Sequence, residues 1–136
     1  MELKEKVALV TGGGTGLGRA VVLRLAGEGM NVAINYSKSK AEADETVEAA
    51  KALGVKAAAF KADVSSTREA EDLVKEVEKT FGRLDLLVNN AGTTKFVPFK
   101  DLEGLSEDDW LRLFRINTMP SFFTSRAAAK IMRRLG

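Results

Sequence analysis

Lys6-Val7-Ala8-Leu9-Val10-Thr11-Gly12-Gly13-Gly14-Thr15-Gly16-Leu17-Gly18 is the stretch that decides the fold. Four apolar residues run into a glycine-rich turn, and beyond it Leu17, Val21 and Leu25 recur at every fourth position, which is a helical period. The expectation is a strand, a tight turn and a helix. Glycine admits positive φ and lets a ligand come close to the backbone, and the first turn of a helix offers unpaired N–H groups at the positive end of its dipole. Such a turn is either a phosphate cradle or a flexible connector.

Composition narrows the chemistry. With 45% hydrophobic and 29% charged side chains, the 136 residues have the balance of one soluble domain. Twenty-one basic and 19 acidic residues leave a net charge of +2, and no lysine or arginine block marks a nucleic-acid partner. Neither cysteine nor histidine is present, which removes the usual zinc ligands, thiol chemistry, disulfides and a Ser-His nucleophile. The first six residues lack the apolar core of a signal peptide, and no later run reaches membrane-spanning length. A cytoplasmic protein without a membrane partner is expected.

Outward from the turn, the first helix is expected to close at Ala26-Gly27-Glu28-Gly29, followed by a strand at Asn31 to Asn35. A polar segment, Tyr36 to Lys40, leads to a helix with Ala43, Val47, Ala50 and Leu53 on one face, stopped by Gly54. Lys56 to Phe60 reads as a third strand. Ser66 and Glu69 have capping-box spacing, and Ala70, Leu73, Val74, Val77 and Phe81 form the stripe of a third helix. Leu84 to Val88 is the fourth strand. This alternation predicts a parallel sheet with right-handed crossovers, covered on both faces. No repeat or linker divides the chain, so residues 1–136 are expected to form one domain.

A loop from Gly92 to Leu105 ends at Ser106, whose spacing to Asp109 predicts another cap. One helix is expected from there to Leu135, with Gly136 as its stop. At 100° per residue, Trp110, Leu113, Phe114, Asn117, Ala128, Ile131, Met132 and Leu135 share a face, so Asn117 is expected to be buried and in need of partners. Pro120 is expected to kink the helix and free the carbonyl of Ile116. Asn117 then has two readings, a structural amide or an active-site group. Asp63 and Asn89-Asn90-Ala91-Gly92 follow the third and fourth strands, where a doubly wound sheet places its ligand crevice. Each also has a plain reading as a turn or loop.

Thr11-Gly12-x-x-x-Gly16-x-Gly18, Asp63-Val64, Asn89-Asn90-Ala91-Gly92 and Asn117, in this order and at these separations, resemble the short-chain dehydrogenase/reductase family. The resemblance covers the whole chain but corresponds to about the first half of a family member, so the dinucleotide-binding domain is expected to be incomplete. It implies a Rossmann-type doubly wound sheet, with the four strands present in order 3-2-1-4, and an oxidoreductase that moves hydride between a nicotinamide and a small carbonyl or alcohol. It implies that Gly12, Gly14, Thr15, Gly16, Leu17 and Gly18 hold the pyrophosphate, that Asp63 and Val64 meet the adenine, and that Asn90, Ala91 and Gly92 line the nicotinamide side. Asn89 would brace the sheet, and Asn117 would hold a water in a proton relay. The family's serine, and its tyrosine with a lysine four residues on, are expected beyond Gly136. The 136-residue chain alone is therefore expected to be inactive.

Tyr36 to Lys40 also spells Tyr-x-x-x-Lys, but it follows the second strand, where the adenosine ribose belongs. Where NAD-preferring Rossmann proteins carry an acid, this chain has Asn35, with Tyr36, Ser37, Lys38 and Lys40 behind it. A lysine or serine on a 2′-phosphate contributes about 1.5–3 kcal/mol, which favours NADP(H), with NAD(H) as the alternative. Thr15, where many NADP-preferring relatives have a basic residue, points the other way. Asn35-Tyr36-Ser37, the alanine-rich second helix and Gly82-Arg83-Leu84-Asp85 also look like 3-oxoacyl-carrier-protein reductases, which would make an acyl-carrier-protein thioester the substrate. The resemblance further implies a homo-oligomer, paired through the last helix, where Met119, Phe122 and Phe123 lie off the apolar face among Arg115, Arg126 and Arg133. A second class of function remains open: a nucleotide-binding or partner-binding module without catalysis.

Overall fold

A computed structural model describes residues 2–136. Strands β1 (Val7–Val10), β2 (Asn31–Tyr36), β3 (Ala57–Lys61) and β4 (Leu86–Val88) form one parallel sheet in the order β3-β2-β1-β4. Helices α1 (Gly16–Gly27), α2 (Lys40–Lys51) and α3 (Thr67–Phe81) connect them, and α4 (Glu107–Asn117) and α5 (Met119–Leu135) follow β4. Every residue of β1 is buried, as a strand covered on both faces must be. The side-chain alternation of β1 assigns the two cores. Ala8 and Val10 face Val22 and Ala26 of α1 and Ala43, Val47 and Ala50 of α2. Val7 and Leu9 face Ala70, Leu73, Val74 and Val77 of α3 and Ala128 and Ile131 of α5. The sheet is thus doubly wound, as the alternation of elements predicted.

The phase of α1 differs from expectation by one residue. Its buried row is Gly18, Val22 and Ala26, while Leu17 is 75% exposed. Both rows have the same period, but only the row beginning with a glycine lets the helix start touch the turn below it. In α2, Leu53 lies beyond the last turn and is exposed, and Thr46 occupies the buried face instead. β3 lies one residue later than predicted and β4 begins at Leu86. At α3, the Ser66 hydroxyl accepts from the Glu69 N–H at 3.3 Å, but the Glu69 carboxylate accepts from the Asp63 N–H at 2.7 Å, so the box is only half formed. The box at Ser106 and Asp109 is complete.

The expected single last helix is two helices that meet at Thr118. Pro120 falls in the first turn of α5, where its missing N–H leaves no helical bond unmade, so the proline starts a helix and does not kink one. α4 contributes no buried residue. Trp110 is 65% and Phe114 57% exposed, and Asn117 is exposed, which corrects the buried face expected for all three. The physical reason is that α4 packs on α5 rather than on the sheet. Of the predicted face, Ala128 and Ile131 are buried, Leu113 and Met132 half-buried and Leu135 exposed. Phe123, expected off that face, packs against the core. Phe122 stays exposed, with the Arg126 guanidinium 5.2 Å from its ring centre. No described helix is long and apolar enough to cross a membrane.

The register of β4 on β1 is set at its entrance. The Val7 N–H donates to the Asp85 carboxylate at 2.9 Å, and the Asp85 N–H donates to the Val7 carbonyl at 2.9 Å. Arg83 binds both carboxylate oxygens of Asp85 at 2.7 Å. The Arg83 guanidinium, together with the Val7 N–H, holds the Asp85 carboxyl below the usual carboxylate range. Because the unfolded chain takes up that proton first, this stabilisation is present above pH 3.8 and is lost as pH falls through the depressed folded value. Asp85→Ala leaves the buried Val7 N–H without an acceptor and is expected to cost about 1–3 kcal/mol in urea unfolding at neutral pH. The variant's stability is expected to fall less steeply than the parent's below pH 3.8; parallel acid limbs in the two proteins would contradict this assignment.

Candidate functional site

The carboxyl ends of all four strands open into one cleft of about 570 Å³. Every cofactor-side residue expected from the sequence lines it: Gly12, Gly14, Thr15, Gly16, Leu17 and Gly18 after β1, Asn35 to Lys38 at β2, Asp63 and Val64 after β3, and Asn90, Ala91 and Gly92 after β4. A right-handed doubly wound sheet brings these segments together because each crossover starts at the same edge.

The glycine turn forms the floor. Gly12 has φ +62°, a conformation that L side chains rarely adopt. A Cβ on Gly18 would lie 2.2 Å from the Gly12 carbonyl oxygen and 2.5 Å from Asn90 Nδ2, so the helix start and the turn touch with no room between them. The Asn90 side chain donates to the carbonyls of Thr11 and Gly12 at 3.0 and 3.1 Å. The Thr11 hydroxyl accepts from the N–H groups of Asn90 and Ala91 at 3.0 and 3.1 Å. From the other face, the buried Thr46 hydroxyl of α2 donates to the Gly14 carbonyl at 2.9 Å. These contacts hold the turn in one conformation, so it is not a flexible connector. The N–H groups of Gly14, Thr15, Gly16, Leu17 and Gly18 have no acceptor among the described residues. Five consecutive donors at a helix N-terminus, on a cleft wall, suit an anionic oxygen.

Three expected roles change. Asn35 lines the cleft but is 2% exposed, and its amide is already engaged. Oδ1 accepts from the Gly12 N–H at 3.3 Å, and Nδ2 donates to the carbonyls of Phe60 and Ala62 at 3.3 and 3.1 Å. Asn35 therefore fixes the turn against β3 and has no free group for a ribose. Asn117 does not line the cleft. Its Oδ1 accepts from the Thr93 N–H at 2.7 Å and its Nδ2 donates to the Thr93 carbonyl at 2.9 Å. This satisfies the amide that expected burial had left without partners, and it clamps the segment directly after Gly92. Asn89, expected to brace the sheet, ties the end of β4 to α5 instead: it accepts from the Thr124 hydroxyl at 2.5 Å and donates to Ser125 at 3.1 Å.

Asp63 unites its two readings. It lines the cleft, and its Oδ1 closes its own turn by accepting from the N–H and hydroxyl of Ser65 at 3.0 and 2.6 Å. Lys40, the last residue of the misplaced Tyr-x-x-x-Lys, begins α2 and pairs with Asp44, which raises its pKa above the ordinary lysine value. On the loop after Gly92, Lys95 bonds Asp109 at 2.6 Å; with the Ser106 donors, it holds the Asp109 carboxyl down at about 2. Sequence reasoning missed Thr93, Arg112 and Ile116 on the cleft wall, and Thr46 beneath the turn. The spacing of Arg112 and Ile116, one helical turn apart, was the available signal for the first helix facing the crevice. Among the described residues no group of three or more metal-ligating side chains exists.

Comparison with known proteins agrees with this geometry. The chain is 47% identical over 108 residues to the short-chain dehydrogenase/reductase homolog YusS of Bacillus subtilis, covering 79% of this chain and 99% of that protein. It is 44% identical over 128 residues to the hydroxynaphthalene reductase arp2 of Aspergillus fumigatus, covering 94% of this chain and 46% of the relative. A short chain dehydrogenase from Burkholderia cenocepacia, solved in complex with NADP, superposes with a TM-score of 0.89 at 39% identity, over 97% of this chain and 53% of the other. The chain thus spans about half the length of the last two. The family model for short chain dehydrogenases matches residues 6–136, and with that match the chain belongs to the short-chain dehydrogenase family.

Proposed function

We propose that this chain is the cofactor-binding half of an NADP(H)-dependent oxidoreductase acting on a small carbonyl or alcohol. The observation that carries the reading is the row of unpaired N–H groups from Gly14 to Gly18 on the cleft wall. A dinucleotide pyrophosphate supplies the oxygens those donors lack. Val64 and Asp63 form the adenine side, and Asn90, Ala91 and Gly92 the nicotinamide side. A bound nicotinamide supplies hydride exchange with a substrate carbon. What this chain's own residues do is hold and orient: Asn90 and Thr11 fix the floor, and Asn117 positions Thr93 at the reacting end. Asn117 acts there through the loop and is a positioning residue.

The preference for NADP(H) rests on Ser37 and Lys38. Both line the cleft just after β2, and neither makes a hydrogen bond through its side chain among the described residues. With Asn35 engaged elsewhere, Ser37 and Lys38 are free to meet a 2′-phosphate, and Lys38 is the one cation among the residues that line the cleft at this strand end. A second reading, a nucleotide-binding module without catalysis, is favoured by one finding: 108 matched residues make up 99% of YusS, so a relative exists that consists of this half alone.

Titration of the protein into NADPH, followed by nicotinamide fluorescence, tests the first reading. A dissociation constant in the micromolar to submillimolar range is expected, and no saturable signal with either NADPH or NADH would overturn it. The double variant Ser37→Ala, Lys38→Ala is expected to weaken NADPH binding about tenfold or more and leave NADH unchanged, since only the 2′-phosphate contacts are removed. Equal losses for both cofactors would place these side chains elsewhere. Gly18→Ala forces its Cβ against the Gly12 carbonyl and is expected to abolish binding and to cost about 1–3 kcal/mol of stability. Turnover of carbonyl substrates tests the expected inactivity of the 136 residues: binding without turnover is the outcome for a module and for an isolated half alike, and robust turnover would overturn the expectation that the reacting serine, tyrosine and lysine lie elsewhere.

A further inference from the structure

We propose that Arg112 is a phosphate-contacting residue that closes the cleft over the dinucleotide's pyrophosphate from the side opposite the glycine turn. The inference rests on the dinucleotide reading above and names a side chain that the glycine turn does not supply. Its first support is placement. α1 and α2 pack on one face of the sheet, while α3 and α5 pack on the other, and α4 joins the second group through α5. Arg112 lies on α4 and lines the same cleft as Gly14 to Gly18. An anion in that cleft is therefore bordered by α1 from one face of the sheet and by Arg112 of α4 from the other. Arg112 also stands one helical turn, about 6 Å of rise, nearer the α4 N-terminus than Ile116, which lines the cleft as well. Ile116 precedes Asn117, which clamps Thr93 at the reacting end, so Arg112 is displaced from that end.

The second support is the bond that Arg112 does not make. Asp108 lies four residues before it, the arrangement of acid before base that favours an i,i+4 pair on a helix. The structure forms such pairs in the less favourable order at Arg24–Glu28, Lys40–Asp44 and Arg68–Asp72. The Arg112 side chain has no ion pair and no hydrogen bond among the described residues, and the residue borders the cleft instead. The third support is the charge of the cleft. Lys38, Asp63 and Arg112 are its charged lining residues, and the Asp63 carboxylate already accepts two bonds from Ser65. Lys38 stands at the end of β2, on the 2′-phosphate side. The pyrophosphate is then the remaining anion, and a forked guanidinium suits its oxygens.

The test compares NADPH binding by the wild-type protein, Arg112→Gln and Arg112→Lys at about 50 and 200 mM salt, with adenosine as an uncharged probe. Arg112→Gln is expected to raise the NADPH dissociation constant about fivefold or more at low salt and to flatten its salt dependence. Arg112→Lys, which keeps the charge but not the fork, is expected to restore part of the affinity lost in Arg112→Gln, and adenosine binding is expected to be unchanged. The side chain is exposed, so thermal unfolding of the unliganded variants should match the parent. An unchanged NADPH affinity in Arg112→Gln overturns the proposal, as does a loss shared with adenosine and not rescued by lysine, which would assign the guanidinium to the base. Failure of the wild-type protein to bind NADPH would instead remove the dinucleotide reading itself.

Discussion

Between the carbonyl of Gly12 and the α carbon of Gly18 there is no space for a methyl group. That contact fixes the start of α1 against the end of β1, and the rest of the cleft depends on it. Asn90 binds the same carbonyl, Asn35 holds the Gly12 N–H, and Thr46 holds the Gly14 carbonyl, so β4, β2 and α2 all reach the turn through polar side chains. The Gly12 and Gly14 carbonyls and the Gly12 N–H are satisfied within the fold, while the N–H groups of residues 14–18, which line the cleft, have no acceptor among the described residues. A ligand-binding surface has been made by using the side chains around it to fix the backbone.

The glycine turn and the succession of strands and helices were legible because both rest on local pattern. Period-four apolar spacing, capping residues and the glycine-rich stretch are properties of a few neighbouring residues. Other features were illegible for an identifiable reason. A polar residue at a strand end either faces a ligand or binds backbone, and for Asn35 the choice depends on the carbonyls of Phe60 and Ala62, 25 and 27 positions away. The apolar face drawn through Trp110, Phe114 and Asn117 assumed a continuous helix, and the break at Thr118 turned α4 away from the sheet. Leu17 gave way to Gly18 because closeness of approach, and not hydrophobicity, set the phase of α1.

The site and the scaffold use the same residue types for different ends. Asparagine appears at four positions around the crevice, and none of the four points a free amide at a ligand: Asn35 and Asn90 fix the turn, Asn89 docks α5, and Asn117 clamps the loop. An amide has donors and acceptors at fixed angles and no charge to neutralise, which suits it to hold backbone near an anion site. The charged side chains, by contrast, stand at the rim. Lys38 and Arg112 line the cleft and make no ion pair among the described residues, so its long-range attraction for anions falls with ionic strength while its floor does not change.

The contacts that hold β4 beside β1 join residues 77 to 80 positions apart, from Val7 with Asp85 to Thr11 with Ala91. The pairs β1 with β2 and β2 with β3, in contrast, join neighbours in the chain. Closing the long loop costs more entropy than closing the short ones, so the floor of the cleft is the part of the sheet that chain topology orders last. A ligand held on that floor binds only the state in which the distant ends have met. Its binding free energy is therefore added to the closure of the longest loop in the sheet, and occupancy of the cleft and completion of the fold become one linked equilibrium.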